Sequence, residues 1–150
     1  MEDKTVRRTT DTQQVVSLLK RTPIFAQVNE ETLEAMLKST IEKTVQAGTK
    51  IVEQGKEGIG FYLILDGKAE VVAEGKKLAE LEAGNFFGEL SCIDGQPRTA
   101  DVVAITDTTC LVITQWAMKS IIESYPGVAL GMLKELVRRL RASNLALHTS

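Results

Sequence analysis

The sequence predicts a mainly β fold flanked by helices at both ends, and three features carry that prediction. Between Ile41 and Thr114 short apolar runs recur at turn-punctuated intervals, with Gly48, Gly55, Gly58, Gly67, Gly75 and Gly84 between them; strands so spaced form a sandwich or barrel. Before Ile41 and after Thr114 the apolar residues fall at helical spacing instead. A chain of 150 residues, 43% hydrophobic and 25% charged, suits one globular domain with a single core.

Residues 1–12 are polar and threonine-rich, and a disordered leader is expected there, ahead of one domain over 13–150. The leader's Arg7-Arg8-Thr9-Thr10 matches a basophilic kinase site, a pattern short enough to be common by chance. Val15, Leu18 and Leu19 predict a short amphipathic helix that Thr22-Pro23 ends, since proline disfavours helix in the residue before it. Ile24-Phe25 anchors the turn that follows. Asn29 is placed as an N-cap, with Val28 and Leu33 as the staple around it, and Leu33, Met36 and Leu37 as the buried face of a second helix.

Seven strands are predicted: Ile41–Val45, Thr49–Val52, Phe61–Leu65, Ala69–Ala73, Lys77–Leu81, Asp101–Ala104 and Cys110–Thr114. Asp66-Gly67 signals a hairpin between the third and fourth. Thr114 then caps a helix with Ile113 and Met118 as its staple and Met118, Ile121 and Ile122 facing inward. Pro126 suits the start of a last helix, whose Leu133, Leu136, Val137 and Leu140 form an apolar stripe expected to pack on the strands. Glu135 and Arg139 can pair at i,i+4; Lys134, Arg138, Arg139 and Arg141 make the far end basic, a solvated face that suits the helix C-terminal dipole.

Composition excludes several functions. A formal net charge of -2 is unlike a sequence-independent nucleic-acid binder, which is strongly basic. No apolar run has membrane-spanning length, and the start lacks a signal-peptide core, so a cytoplasmic protein with no membrane partner is expected. Cys92 and Cys110 form no metal or disulfide pattern and read as reduced thiols. Jelly-roll enzymes hold metals through clustered histidines, whereas the one histidine here is His148; with no nucleophile–base pair either, neither an enzyme nor a cofactor is expected.

Chemistry concentrates between Phe86 and Ala104, in F-F-G-E-L-S-C-I-D-G-Q-P-R-T-A-D-V-V-A. Gly88 lets the backbone come close to a ligand. A helical turn opening at Glu89 would aim free N–H groups at an anion. Arg98 adds a permanent forked cation suited to phosphate oxygens. Glu89, out of place if only a phosphate is bound, can accept from a ribose hydroxyl. The structural alternative makes Glu89 and Arg98 an ordinary loop ion pair.

Phe87-Gly88-Glu89-Leu90-Ser91 followed by Pro97-Arg98-Thr99-Ala100 resembles the phosphate-binding cassette of cyclic nucleotide-binding domains, F-G-E-[LI]-[AGS] then R-[AST]-A. Such domains occur in catabolite activator protein, in regulatory subunits of cAMP-dependent protein kinase and in cyclic nucleotide-gated channels. The Glu89-to-Arg98 interval, with proline before the arginine, is similar to the kinase type. Upstream, Gly48, Ile51, Gly55, Gly58, Phe61, Tyr62, Ile64 and Gly67 meet the family's strand-and-glycine spacing, so the resemblance covers roughly Val15 to Leu140.

The resemblance implies an antiparallel eight-stranded β-roll, jelly-roll-like, with an N-terminal helical bundle and C-terminal lid helices. It implies a regulatory module whose ligand is cAMP or cGMP and whose binding set is Gly88, Glu89, Leu90, Ser91, Arg98, Thr99 and Ala100. Arg98 meets the cyclic phosphate, the N–H groups of Ser91 and Thr99 donate to it, Glu89 takes the 2′-hydroxyl, and Leu90, Ile93 and Ala100 pack. The Thr99 hydroxyl can reach a syn guanine, although domains with threonine there bind cAMP too. The last helix lids the base from the region of Val137 to Asn144 and offers a surface for a second copy or an effector. Asp101 departs from the small hydroxyl residue common in kinase-type cassettes; it can compete for Arg98 or point to solvent. Two other readings stay open: a ligand-free interaction domain of the same fold, and a transcription factor. The second is disfavoured because no helix-turn-helix fits after the last helix, so no direct nucleic-acid contact is expected.

Overall fold

The computed structural model describes residues 11–56, 60–88 and 98–149, with side chains of the last helix through 142. Two helices, α1 (Thr12–Lys20) and α2 (Glu30–Leu37), precede eight strands. These are β1 (Thr40–Val45), β2 (Lys50–Val52), β3 (Gly60–Asp66), β4 (Lys68–Ala73), β5 (Lys76–Glu82), β6 (Phe86–Phe87), β7 (Asp101–Ala104) and β8 (Thr108–Thr114). Helices α3 (Gln115–Ser124) and α4 (Pro126–Thr149) follow. The strands make two four-stranded antiparallel sheets, β1-β8-β3-β6 and β2-β7-β4-β5. This is the mainly β roll with helices at both ends that the resemblance implied.

The caps form where the sequence placed them. Asn29 Oδ1 accepts from Thr32 N at 2.8 Å and Thr114 Oγ1 from Ala117 N at 3.1 Å. Because side chains alternate along a strand, the first sheet feeds two cores. Phe61, Leu63, Phe86, Leu111 and Ile113 face the helices, joining Val15, Leu19, Phe25, Leu33 and Met118. Tyr62, Ile64, Phe87, Cys110 and Val112 face the second sheet, joining Ile51, Ala69, Leu81, Val102 and Ala104. Covered on both sides, β3 is buried from Gly60 through Ile64 without alternation.

Two expectations fail. Asp66-Gly67 makes no hairpin: β3 and β4 lie in different sheets, and Gly67 carries the chain across the corner. A Cβ there would lie 2.5 Å from the Asp107 carbonyl oxygen, and φ is +101°, so close backbone approach at a corner, not a two-residue turn, demands the glycine. The tight hairpin is β4–β5, whose loop Glu74-Gly75 has φ of 52° and 78°, the signs of a type I′ turn.

The second failure is the stripe on α4. Leu133, Val137 and Leu140 are exposed, and Val128, Met132 and, in part, Leu136 face inward. Gly131 accounts for the rotation. A Cβ on it would sit 2.7 Å from the Pro23 carbonyl oxygen and 2.8 Å from Ile24 Cα, so the helix rests its glycine edge on that turn. Positions two and six residues further on are thereby turned toward solvent.

Candidate functional site

Arg98 stands at the entrance to β7 and is fixed by its own backbone: its N–H donates to the Lys56 carbonyl at 2.9 Å and its carbonyl accepts from Gly55 N at 2.8 Å. The side chain turns into the roll and is 6% exposed. Its Nη2 donates to the Gly60 carbonyl at 2.7 Å, and its Cζ lies 5.6 Å from the centre of the Tyr62 ring. Nη1 is fully buried and has no hydrogen-bond partner among the described residues. Buried polar groups are nearly always paired, and an unmatched donor costs about 1–3 kcal/mol, so this one needs an explanation.

Gly88 supplies the other wall. Its φ is +86°, and a Cβ on it would lie 2.3 Å from Arg98 Nη1, 3.1 Å from Arg98 Cζ and 2.9 Å from the Gly60 carbonyl oxygen. Both the conformation and the space therefore require glycine. The strand leading to it, β6, pairs with β3 in the register Tyr62↔Phe87 and Leu63↔Phe86. Phe87 stacks on Tyr62 with centroids 4.9 Å apart, so the ring beneath Arg98 is itself held by the residue before Gly88.

Among the residues singled out from sequence, Gly88 and Arg98 are brought together, with Gly88 against the guanidinium itself. Thr99 is exposed and Ala100 half-buried beside them. Glu89, Leu90 and Ser91, and the helical turn expected to open at Glu89, lie outside the described residues. Asp101 does not compete for the guanidinium. Its Oδ1 accepts from Gln54 N at 2.7 Å and its Oδ2 lies 3.3 Å from Lys50 Nζ, an arrangement spanning β2 and β7. The Gln54 hydrogen bond is the main reason its pKa is lowered, followed in the same direction by Lys50.

Sequence reasoning missed the Gly60 carbonyl, the Tyr62 ring and Arg139. Tyr62 was legible only as a roll residue, and Arg139 only as half of the i,i+4 pair with Glu135, which is present with Nε–Oε1 at 3.4 Å. A groove of about 510 Å³ beside α1, lined by Gln13, Gln14, Ser17, Leu18 and Arg21, offers no buried charge and is set apart from Arg98. Among the described residues no cluster of His, Cys, Asp or Glu could hold a metal ion, and no helix is long and apolar enough to cross a membrane.

Known proteins are similar to this chain in sequence and fold. Residues 42–125 match the cyclic nucleotide-binding domain family. The chain is 38% identical over 81 residues to a cAMP-dependent protein kinase regulatory subunit of Yarrowia lipolytica, covering 54% of this chain and 22% of that one. It is 29% identical over 132 residues to a CRP-like cAMP-activated global transcriptional regulator of Mycobacterium tuberculosis, covering 85% and 59%. The solved structure of Thermus thermophilus catabolite activator protein superposes with a TM-score of 0.78 at 31% identity, covering 85% of this chain and 62% of that one. The chain thus spans less than two thirds of the length of these relatives. With the family match extending over more than half of its residues, the chain belongs to the cyclic nucleotide-binding domain family.

Proposed function

We propose that this domain, taken as beginning with α1 and its cap Asp11 where residues 13–150 were expected, is a sensor that binds cAMP or cGMP at Arg98 and Gly88 and passes the event to α4. The observation that carries the reading is Arg98 Nη1: a buried cationic donor, unmatched among the described residues and walled by a glycine with no room for a side chain. A singly charged cyclic phosphate in that space supplies the acceptor. Arg98 meets its charge, the Thr99 and Ser91 N–H groups donate to its oxygens, and Glu89 takes the ribose 2′-hydroxyl, with Leu90 and Ala100 as packing around them. The module regulates and does not catalyse, and its setting is the cytoplasm.

The partner surface is on α4. Leu130, Leu133, Val137 and Leu140 are all exposed and recur at spacings of three, four and three, the seam by which one helix packs on another. That supports a protein partner, a second copy or an effector, and not nucleic acid.

Isothermal titration of the chain with cAMP and with cGMP tests the reading, with linear AMP as control. Saturable binding of a cyclic nucleotide, far weaker for AMP, is the expected result. No heat and no melting shift with either would leave a ligand-free interaction domain.

A further inference from the structure

Strand β6 carries one cation on each face. Phe87 stacks on Tyr62, over which Arg98 lies. Phe86, pointing the other way, stacks on Phe61 with centroids 5.2 Å apart and carries Arg139 of α4, whose Cζ is 4.5 Å from the Phe86 ring centre. Arg139 Nη2 also donates to the Phe86 carbonyl at 3.0 Å. Ring and carbonyl of one residue are thus gripped by one guanidinium, the combination of stacking and forked donation for which arginine is suited. Glu135, one turn back on α4, lies 3.4 Å from Arg139 Nε and aims it.

We propose that Arg139 is a positioning residue for the anion site, acting through Phe86, and that this grip is the connection by which the site moves α4. It rests on the nucleotide-binding reading above and names the residue through which that binding is regulated. As an edge strand β6 has β3 as its one sheet neighbour among the described residues. It is anchored there by the two stacked rings and by hydrogen bonds of Gly84 and Asn85 with Ile64, and on its other flank the described hold is Arg139. The strand runs without a break into Gly88, whose α-carbon faces Arg98. A displacement of Gly88 by a ligand is therefore passed two residues back, to the point where α4 is tied. In reverse, fixing Phe86 keeps Gly88 and Arg98 in the geometry the anion needs, and preorganisation of that kind raises affinity without a new contact.

The test compares the full chain with Arg139→Ala, Arg139→Lys and Phe86→Leu. Three readouts are taken: titration with cAMP and cGMP, melting without ligand, and amide exchange over 126–142 with and without saturating nucleotide. Arg139→Ala is expected to bind roughly 2- to 30-fold more weakly, the range for coupling residues that do not touch a ligand. Nucleotide should change exchange over 126–142 in the parent; in Arg139→Ala that response should vanish even at saturation. Arg139→Lys, which keeps the cation without the fork, should fall between, and Phe86→Leu, which keeps the carbonyl without the ring, should weaken both. If Arg139→Ala loses its melting transition, Arg139→Lys decides the matter. Unchanged affinity and an unchanged α4 response in the folded variants overturn the proposal while leaving nucleotide binding intact. A parent that binds neither nucleotide overturns both.

Discussion

Gly88→Ala is the substitution whose consequence follows most directly from the geometry. The backbone at Gly88 has φ of +86°, and the new methyl would lie 2.3 Å from Arg98 Nη1 and 2.9 Å from the Gly60 carbonyl oxygen. An L-residue in the left-handed region costs roughly 1–2 kcal/mol. The methyl also forces the guanidinium off Gly60, and a hydrogen bond made by a charged group is worth about 1.5–3 kcal/mol. Together the loss is about 2.5–5 kcal/mol, visible as a lower urea midpoint at unchanged slope. Gly75→Ala is the control: φ is +78° there, and its Cβ would meet nothing within 4 Å, so only the backbone part is lost. Denaturation of both variants, with cAMP and cGMP titrations, separates the two contributions. Gly88→Ala should lose nucleotide binding and Gly75→Ala should keep it. If Gly88→Ala is no less stable than Gly75→Ala and binds like the parent, the wall assigned to Gly88 does not exist.

Four other outcomes are expected. Arg98→Ala removes the buried cation and should weaken cyclic nucleotide binding by about 2–5 kcal/mol in a titration; parental affinity would make Arg98 merely structural. Burial pushes the Cys110 thiol up to about 12, so peptide-resolved alkylation at pH 8 should spare it in the folded chain and label it in urea. The unfolded thiol ionises near 8.5, so this contribution to stability is fully present below about pH 8.5 and is lost progressively as pH rises toward about 12. Folding lowers the Glu135 pKa, chiefly through its hydrogen bond from Arg138 and then through Arg139; that stabilisation is present above the unfolded value of about 4.3 and lost as pH falls through the folded one, and in acid melts Glu135→Gln should flatten this part of the profile. Leu133, exposed on the α4 seam, should tolerate Asp without loss of melting temperature; if a second copy covers the seam, sedimentation should show the parent self-associating and Leu133→Asp monomeric, and a monomeric parent leaves the seam to an effector.

What was legible in the sequence was what depends on short range. Caps, turn glycines and strand spacing act over three or four residues, and Asn29, Thr114 and all seven expected strands stand where those rules put them. Phe86–Phe87 escaped because a two-residue strand has no period to detect; only its pairing with Tyr62 and Leu63 defines it. Asp66-Gly67 misled because the same dipeptide serves a hairpin and a corner between sheets. The choice is made by Asp107 and Thr108, some forty positions along, pressing on Gly67. The face of α4 failed likewise: hydrophobic spacing located a stripe, but the contact of Gly131 with Pro23 and Ile24 decided which side met the core. At the site, residue types announced Arg98 and Gly88; the Gly60 carbonyl and the Tyr62 ring could be found only by folding β3 against β6.

The position of Arg98 is the physical reason an anion is proposed to matter to this fold. A surface arginine loses little when its ion pair breaks, because water replaces it. Arg98 is 6% exposed, and its Nη1 has no acceptor among the described residues. The nearest acid along the chain, Asp101, is committed to Gln54 and Lys50. The guanidinium cannot relax outward, since the Gly60 carbonyl holds Nη2 while Lys56 and Gly55 hold the backbone. Among the described residues this leaves a fixed cation with one donor unmatched, and on the proposed reading the nucleotide's phosphate supplies the acceptor. Gly88 is pressed against that cation, so on the same reading an arriving acceptor would be felt there first. From Gly88 it is two residues back along the chain to Phe86, where Arg139 of α4 makes its contacts, which is the route proposed above from the site to the helix.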